Sequence, residues 1–147
     1  MDAGSARRPS AWTRPLRRLV RPFLTREEQA RITAAIAAQE QLTTGAITVH
    51  VVARAHGDAI QRAQHEFARL GLDRTPDRNG VLILVAHLDH QFAIWGDEGI
   101  VAVTDATRWD AAMRVLLTRF KLRRYADGIV ACVDEVGALL ARQFPRP

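Results

Sequence analysis

The segment RNGVLILVAHLDHQFAIWGDEGI, residues 78–100, decides the fold because it contains two strand patterns joined by a short turn. Residues 80–87 (GVLILVAH) form a continuous apolar run with β-branched side chains, which is typical of a buried central strand. The next two residues make a tight connection, and residues 91–95 (QFAIW) have the pattern of a returning strand. The segment therefore predicts a β-hairpin that ends at Trp95.

The sequence on either side of this hairpin alternates between helix and strand patterns. Thr25 and Glu28 have the spacing of a capping box, which predicts that a first helix begins there. Residues 46–54 alternate between apolar and polar side chains, as a half-buried strand does. Apolar spacing predicts three more helices, which begin at Asp58, Asp105 and Tyr125. The order α-β-α-β-β-α-α predicts an α/β sandwich, with three or four strands between two layers of helices.

Charge separates the chain into a tail and a body. The chain has 147 residues and a net charge of +5, and its first 22 residues contain one acid and six arginines: Arg7, Arg8, Arg14, Arg17, Arg18 and Arg21. The rest of the chain is balanced, with 15 basic and 15 acidic residues. We therefore expect a basic, largely disordered tail over residues 1–22 and one domain over residues 23–147. A balanced body argues against specific nucleic-acid binding, which normally needs a basic patch on the folded domain.

The tail contains a short amphipathic pattern. Trp12, Leu16, Leu19, Val20 and Phe23 share one face of a helix, with arginines on the other side. Such a segment can lie on an anionic membrane surface, or it can dock on the protein's own core or stay frayed. No apolar segment of signal-peptide or transmembrane type is present in the sequence, so we expect a cytoplasmic protein, in one reading peripheral to the inner face of the membrane.

Several classes of site are disfavoured by the sequence. Cys132 is the single cysteine, which excludes an intrachain disulfide and a zinc site built from cysteines. No phosphate-binding loop or dinucleotide-binding glycine pattern occurs, so no nucleotide cofactor is expected. The only serines, Ser5 and Ser10, lie in the tail, which argues against a serine hydrolase.

The sequence WGDEG, residues 95–99, holds two adjacent acids between glycines at the end of the predicted hairpin. Asp77 and Asn79 precede the neighbouring strand, so an antiparallel hairpin would bring them to the same edge of the sheet as Asp97 and Glu98. Oxygen ligands in irregular loops are what Ca²⁺ and Mg²⁺ require. Two interpretations stay open: each acid caps a turn or helix, or the acids share a divalent cation.

Three further sets of charged residues are candidates for the same site. Glu40 ends the first helix, and Asp127 begins the last one. Arg123 and Arg124 precede that last helix, where they would either hold a phosphate or carboxylate group or form a solvated helix junction.

The residues quoted so far resemble a known family. The hairpin segment 78–100, with FLTREEQARITAAIAAQE (23–40), FARLGLDRTPDRNG (67–80) and RRYADGIVACVDEVGALLARQFP (123–145), is similar to the TPM-domain family, which is named after thylakoid-lumen, photosystem-repair and nematode receptor-associated proteins. The chain resembles the small soluble branch of that family. The resemblance implies about four strands between helices, and acidic loops that bind divalent cations in some members. Some members have been called acid phosphatases, and others lack activity.

Family positions carry over onto Glu40, Asp97 and Glu98, which match acidic positions, and onto Asp127, which matches a position that is usually acidic. The chain departs from the family at two places. The family often reads Gly-Glu-Ile where this chain has Ala46, so one carboxylate is missing, and Arg123 stands where a glycine is common.

Two functions follow from these observations. The first is a non-catalytic TPM-domain module that holds Ca²⁺ or Mg²⁺ in its acidic loops and acts through contacts with a protein partner, such as a membrane protein, or with a membrane surface. The alternative is a divalent-metal-dependent acid phosphatase that hydrolyses phosphomonoesters at the same acidic edge. We favour the first, because the sequence offers no identifiable nucleophile or general base beyond the acidic residues.

Overall fold

In the part of the chain that the structure describes, the predicted hairpin forms two of the three strands of a mixed sheet. The computed structural model describes residues 23–147, so the predictions for the tail, including its amphipathic segment, lie outside the described residues. The strands are β1 (Ala46–Val52), β2 (Gly80–Ala86) and β3 (Gln91–Gly96). The helices are α1 (Arg26–Glu40), α2 (Ala59–Arg69), α3 (Glu98–Val101), α4 (Asp110–Lys121) and α5 (Tyr125–Gln143), and a 3-10 turn spans Leu72–Arg74.

Strand β2 lies in the middle of the sheet, and all seven of its residues are buried. It pairs in parallel with β1, with Ala46 opposite Gly80, and antiparallel with β3, with Val81 opposite Gly96. The continuous apolar run of β2 follows from this position, because a central strand covered on both faces has no side open to water. Within residues 23–147 the sheet has three strands, not the about four that the family resemblance implied.

The two faces of β2 belong to two separate hydrophobic cores. Val81, Ile83 and Val85 point to the face covered by α1, α4 and α5, while Leu82 and Leu84 point to the face covered by α2. This alternation follows from the two-residue period of a strand. The mixed α/β fold predicted from the sequence is therefore confirmed, with helices on both faces of the sheet.

Helix α1 begins where the capping-box spacing placed it. The backbone N–H of Glu28 donates to Thr25 Oγ1 at 3.1 Å, and the N–H of Thr25 donates to Glu28 Oε1 at 2.9 Å. Asp58 caps α2 in a similar way, by accepting a hydrogen bond from the N–H of Ile60. Local side-chain chemistry was therefore sufficient to locate both helix starts.

The region after the hairpin differs from the prediction. A helix was expected from Asp105, but α4 begins at Asp110, and the one-turn helix α3 precedes it. The Asp105 carboxylate accepts hydrogen bonds from the backbone N–H and the hydroxyl of Thr107, and so closes a local turn. An aspartate that bonds the backbone two residues ahead competes with helix formation.

Helix α5 buries Cys132 completely. Burial raises the pKa of the thiol to about 12, which disfavours the reactive thiolate form near neutral pH. None of the helices within residues 23–147 combines the length and apolar character needed to cross a bilayer.

Helix α2 carries a buried carboxylate, Glu66, on the side that faces β1. Arg69 Nε and Arg62 Nε donate to this carboxylate at 2.7 and 3.1 Å, and His50 Nε2 lies 3.5 Å from it. Burial opposes ionisation of Glu66, but the hydrogen bonds from Arg69 and Arg62 outweigh it, so its pKa lies below its ordinary value of 4.5. Glu66 is therefore a charged group that stabilises the fold at neutral pH.

Replacing Glu66 with glutamine is expected to lower the free energy of unfolding at pH 7 by about 2 kcal/mol, because the charge-assisted hydrogen bonds are lost. A pKa depressed in the folded state gives stability that is present above 4.5 and is lost as the pH falls through the folded-state value. Urea unfolding at pH 7 and at successively lower pH should thus show that the native chain and the variant differ less in free energy of unfolding as the pH falls. A difference that stays constant on acidification would contradict this role. Asp134→Asn, which changes an exposed carboxylate on α5, is the control.

Candidate functional site

Four of the predicted site residues lie at one edge of the sheet. Asp77 and Asn79 lie just before β2, and Asp97 and Glu98 follow β3, which returns antiparallel to β2. Thr44 precedes β1, which starts at the same edge because it runs parallel to β2. We call these five residues the acidic rim. The spatial prediction made from the hairpin therefore agrees with the structure.

Arg78, which the sequence analysis did not select, is the main partner of Asp97. Its Nε donates to Asp97 Oδ2 at 2.9 Å and its Nη2 donates to Asp97 Oδ1 at 3.1 Å, a two-point contact between a guanidinium and a carboxylate. Asp97 is only 5% exposed. The hydrogen bond to Asp97 is the main cause that raises the pKa of Arg78 above its ordinary value. Asp97 thus has a resident positive charge beside it.

Asp97 also caps helix α3. Its Oδ1 accepts a hydrogen bond from the backbone N–H of Glu98 at 2.8 Å. The Glu98 carboxylate is mostly exposed, and its Oε2 lies 3.2 Å from Arg78 Nη2. One guanidinium therefore compensates both acids of WGDEG, and Asp97 follows the capping interpretation that the sequence left open.

The two glycines of WGDEG allow close contacts on both sides of the acids. A Cβ on Gly96 would lie 2.7 Å from Cζ2 of Trp109. A Cβ on Gly99 would overlap the carbonyl oxygens of Asp77 and Arg78, and the N–H of Gly99 donates to Arg78 O at 2.9 Å. Gly99 therefore lets the turn after β3 lie directly against the loop that carries Asp77.

Asn79 has an unusual position in the acidic rim because it is 1% exposed and one of its polar atoms has no partner in the described part of the chain. Its Nδ2 donates to Thr44 Oγ1 at 3.1 Å, and that hydroxyl donates to Asp77 Oδ2 at 3.3 Å. Its backbone N–H donates to Thr75 Oγ1. The Oδ1 atom makes no hydrogen bond to any residue that the structure describes. A buried amide oxygen without a donor is costly, and either a cation or a donor group from a ligand would satisfy it.

Glu40 lies at the same end of the molecule but is committed to the backbone. Its Oε2 accepts a hydrogen bond from the N–H of Ile47 at 2.8 Å, at the start of β1. The structure therefore gives Glu40 a clear role in holding the end of α1 on the edge of β1.

Asp127, Arg123 and Arg124 lie at the other end of the domain. Helices α1 and α5 run parallel, because Arg31 pairs with Asp127 and Gln39 bonds Asp134 further along both helices. Asp127 is about 20 Å along α5 from Leu140, the residue that packs against Gly45 beside the acidic rim. The structure does not bring these three residues to the predicted site.

Asp127 is neutralised locally by two arginines. Arg31 Nη2 donates to its Oδ1 at 2.7 Å, and Arg124 Nε donates to its Oδ2 at 2.8 Å. These hydrogen bonds, first from Arg31 and then from Arg124, lower the pKa of Asp127 below its ordinary value. Arg123 is exposed and has a left-handed backbone, with φ of 60°. Arg124 and Asp127 thus form a helix junction, as one of the two interpretations of this segment expected.

The donor chemistry of the acidic rim is mixed. Across residues 23–147 there is no group of three or more His, Cys, Asp or Glu side chains that could hold a metal ion. What the rim does combine is a carboxylate on Asp77, an amide oxygen on Asn79 and a hydroxyl on Thr44. Neutral oxygens with few carboxylates suit a hard cation such as Ca²⁺ and do not suit zinc.

Solved structures of similar proteins share this fold. The NMR structure of BA42 protein, from the psychrophilic bacterium Bizionia argentinensis, is 36% identical to this chain, with a TM-score of 0.80 and with 88% of this chain and 89% of that chain covered. The N-terminal domain of cg2496 protein from Corynebacterium glutamicum is 20% identical, with a TM-score of 0.60 and with 80% and 74% covered. The second likeness concerns the fold alone. No curated protein matches the chain.

The family model described as "TPM domain" matches residues 21–139, which include every helix and strand from α1 to α4 and most of α5. The same span contains the acidic rim and the arginine that compensates it. On this match, and on its likeness to BA42 protein, the chain belongs to the TPM domain family.

Proposed function

We propose that the chain is a binding module that takes up a divalent cation at the acidic rim and contacts a protein partner there. The observation that carries the proposal is Asn79 Oδ1, which is buried at the rim and receives no hydrogen bond from any residue between 23 and 147. A cation held by this oxygen and by Asp77 would satisfy the amide and neutralise the carboxylate. Calcium fits this donor set better than magnesium, because Ca²⁺ accepts irregular oxygen sites and Mg²⁺ requires near-octahedral ones.

Arg78 limits which acids take part. Because it already pairs with Asp97 and Glu98, these two carboxylates are available to a cation only when the guanidinium moves away. Asp97 is further committed to the N–H of Glu98. We therefore propose Asp77 and Asn79 as the main ligands of the cation, in place of the six residues predicted from the sequence.

Exposed apolar side chains support a protein contact at the same end. Val101 and Val103 follow the WGDEG turn and are 47% and 49% exposed, and Leu42, next to the end of α1, is 58% exposed. Apolar side chains next to compensated charges are typical of a protein-binding surface. A bound cation would order the loop between Asp77 and Asn79, which lies against Gly99 and so connects to this surface.

Calorimetric titration of the full chain with Ca²⁺, and separately with Mg²⁺, tests the proposal. We expect Ca²⁺ to bind more tightly, and we expect Asn79→Ala to weaken Ca²⁺ binding by about tenfold or more, because one ligand oxygen is lost. The matched control is Asp127→Asn, which removes an acid at the other end of α5 and should leave binding unchanged. Equal affinities of native chain and Asn79→Ala would overturn the proposed site.

The alternative function is metal-assisted hydrolysis of a phosphomonoester at the same rim. It would need Asp97 and Glu98 as metal ligands, and these are paired with Arg78. The arginines predicted to hold the phosphate group, Arg123 and Arg124, lie near Asp127 instead. Turnover of a chromogenic phosphate ester with Ca²⁺ or Mg²⁺, lost in Asn79→Ala and kept in Asp127→Asn, would favour the enzyme over the binding module.

A further inference from the structure

Basic side chains are concentrated toward the end of the domain opposite the acidic rim, in a segment that contains no acidic residue. Residues 114–124, which span most of α4 and the turn to α5, contain no acid and five basic residues: Arg114, Arg119, Lys121, Arg123 and Arg124. Arg124 pairs with Asp127, and Arg119 donates to the Val115 carbonyl oxygen. In the ion pairs formed within residues 23–147, Arg114, Lys121 and Arg123 take no part. These three side chains are exposed, and none of them has an acidic partner among the described residues.

Exposed leucines lie among these cations. Leu117 and Leu122 are 39% and 63% exposed on α4 and at its end, and Leu88, at the turn between β2 and β3, is 52% exposed. We call Leu88, Leu117, Lys121, Leu122 and Arg123 the leucine–cation face. A leucine at the tip of a turn buries little of its own surface in the fold, so it is open to an apolar partner.

A cluster of aromatic rings shows that these two turns lie at the same end of the sheet. His87, next to Leu88, stacks on Phe23 with ring centroids 4.3 Å apart. Phe23 lies 5.1 Å from Tyr125, the residue that follows the α4–α5 turn, and Phe120 lies 4.8 Å from Phe92 near the start of β3. The rings thus hold the β2–β3 turn and the α4–α5 turn next to each other.

Phe23 is the first described residue, and its ring belongs to the aromatic cluster. In the sequence, Phe23 directly follows the segment 1–22, which contains six arginines. The carboxylates nearest in sequence to the face, Asp89 and Asp127, are each paired with an arginine, Arg54 and Arg124 respectively.

We propose that the leucine–cation face docks on an anionic lipid bilayer. Exposed leucines would enter the boundary between headgroups and acyl chains, while Lys121 and Arg123 would contact lipid phosphates. Anionic lipids attract basic residues that lie near the membrane surface. Docked in this way, the domain points its acidic rim away from the membrane, toward the partner proposed above, although the two sites are independent.

Sedimentation of the full chain with lipid vesicles tests the proposal. The buffer contains a chelator, which removes any effect of cations at the acidic rim. We expect binding to vesicles that contain phosphatidylglycerol and little binding to phosphatidylcholine alone. Lys121→Gln combined with Arg123→Asn should weaken binding by about 25-fold, since each basic residue contributes about fivefold, and asparagine accepts the left-handed backbone at position 123. Leu122→Ser should weaken binding by about tenfold.

The controls are matched substitutions at the opposite end of the domain. Arg142→Gln removes an exposed cation near the end of α5, and Leu42→Ser removes an exposed leucine. Circular dichroism checks that each variant is folded. Binding that is unchanged in the Lys121 and Arg123 double variant, or that falls equally in the controls, would overturn the proposal. A native chain that does not bind anionic vesicles would also overturn it. If the same Lys121, Arg123 and Leu122 variants then weakened binding to duplex DNA, the face would be a nucleic-acid contact instead.

Discussion

Replacing Gly99 with alanine is expected to lower the free energy of unfolding by about 3 kcal/mol. The new Cβ would overlap the carbonyl oxygens of Asp77 and Arg78, and both are backbone atoms that cannot rotate away. The turn after β3 would have to move off the loop before β2, which would also stretch the hydrogen bond from the Gly99 N–H to Arg78 O. Urea unfolding measured by circular dichroism gives the change in free energy.

Gly71→Ala is the matched control for this prediction. Gly71 has a φ of 73°, and the nearest atoms to an added Cβ belong to the Arg74 side chain, at 3.7 Å or more. Alanine there carries the cost of a left-handed backbone, about 1 kcal/mol, but no backbone overlap. A Gly99→Ala variant that is as stable as Gly71→Ala would show that the two loops do not pack as described.

Replacing Asp97 with alanine should also cost about 3 kcal/mol. The substitution removes the cap of α3, about 1 kcal/mol, and the charge-assisted hydrogen bonds that Asp97 accepts at a buried position. Glu98→Gln is the control, because Glu98 is mostly exposed and its contact with Arg78 is at the surface. We expect the control to change stability by less than about 0.5 kcal/mol.

The comparison between the two acids separates structure from function. If Asp97 mainly holds the fold, its loss lowers stability strongly and changes Ca²⁺ affinity little. A stable Asp97→Ala variant that does not bind Ca²⁺ would instead show that Asp97 is a cation ligand. That result would contradict the conclusion that Arg78 compensates the charge of Asp97.

Much of the sheet could be predicted because its signals are local. The apolar run of β2 requires burial on both faces, and the turn that follows it forces an antiparallel return. The same hairpin correctly places Asp97 and Glu98 at the edge from which β2 starts. Helix α3 was missed because four residues are too few to show a helical period.

The partner of Asp97 could not be predicted from sequence spacing. Arg78 lies between two residues selected as ligands, yet a side chain of its length can reach in many directions. Its two-point contact with Asp97 depends on how the loop before β2 packs against Gly99, which is a tertiary contact.

Asp127 was selected because it begins the last helix and matches a family position that is usually acidic. The structure places Asp127 away from the acidic rim, because Asp127 lies at the start of α5 and only the end of that helix lies beside the rim. The parallel arrangement of α1 and α5, seen in the Arg31–Asp127 pair, has no signature in the hydrophobic pattern.

The most direct test of the proposed rim site is an NMR titration of the ¹⁵N-labelled full chain with Ca²⁺. We expect the side-chain amide signals of Asn79 and the backbone signals of Thr44 and Asp77 to shift first and saturate together, while signals from residues 121–127 stay in place. Shifts confined to residues outside the acidic rim, or no shifts at all, would contradict the account.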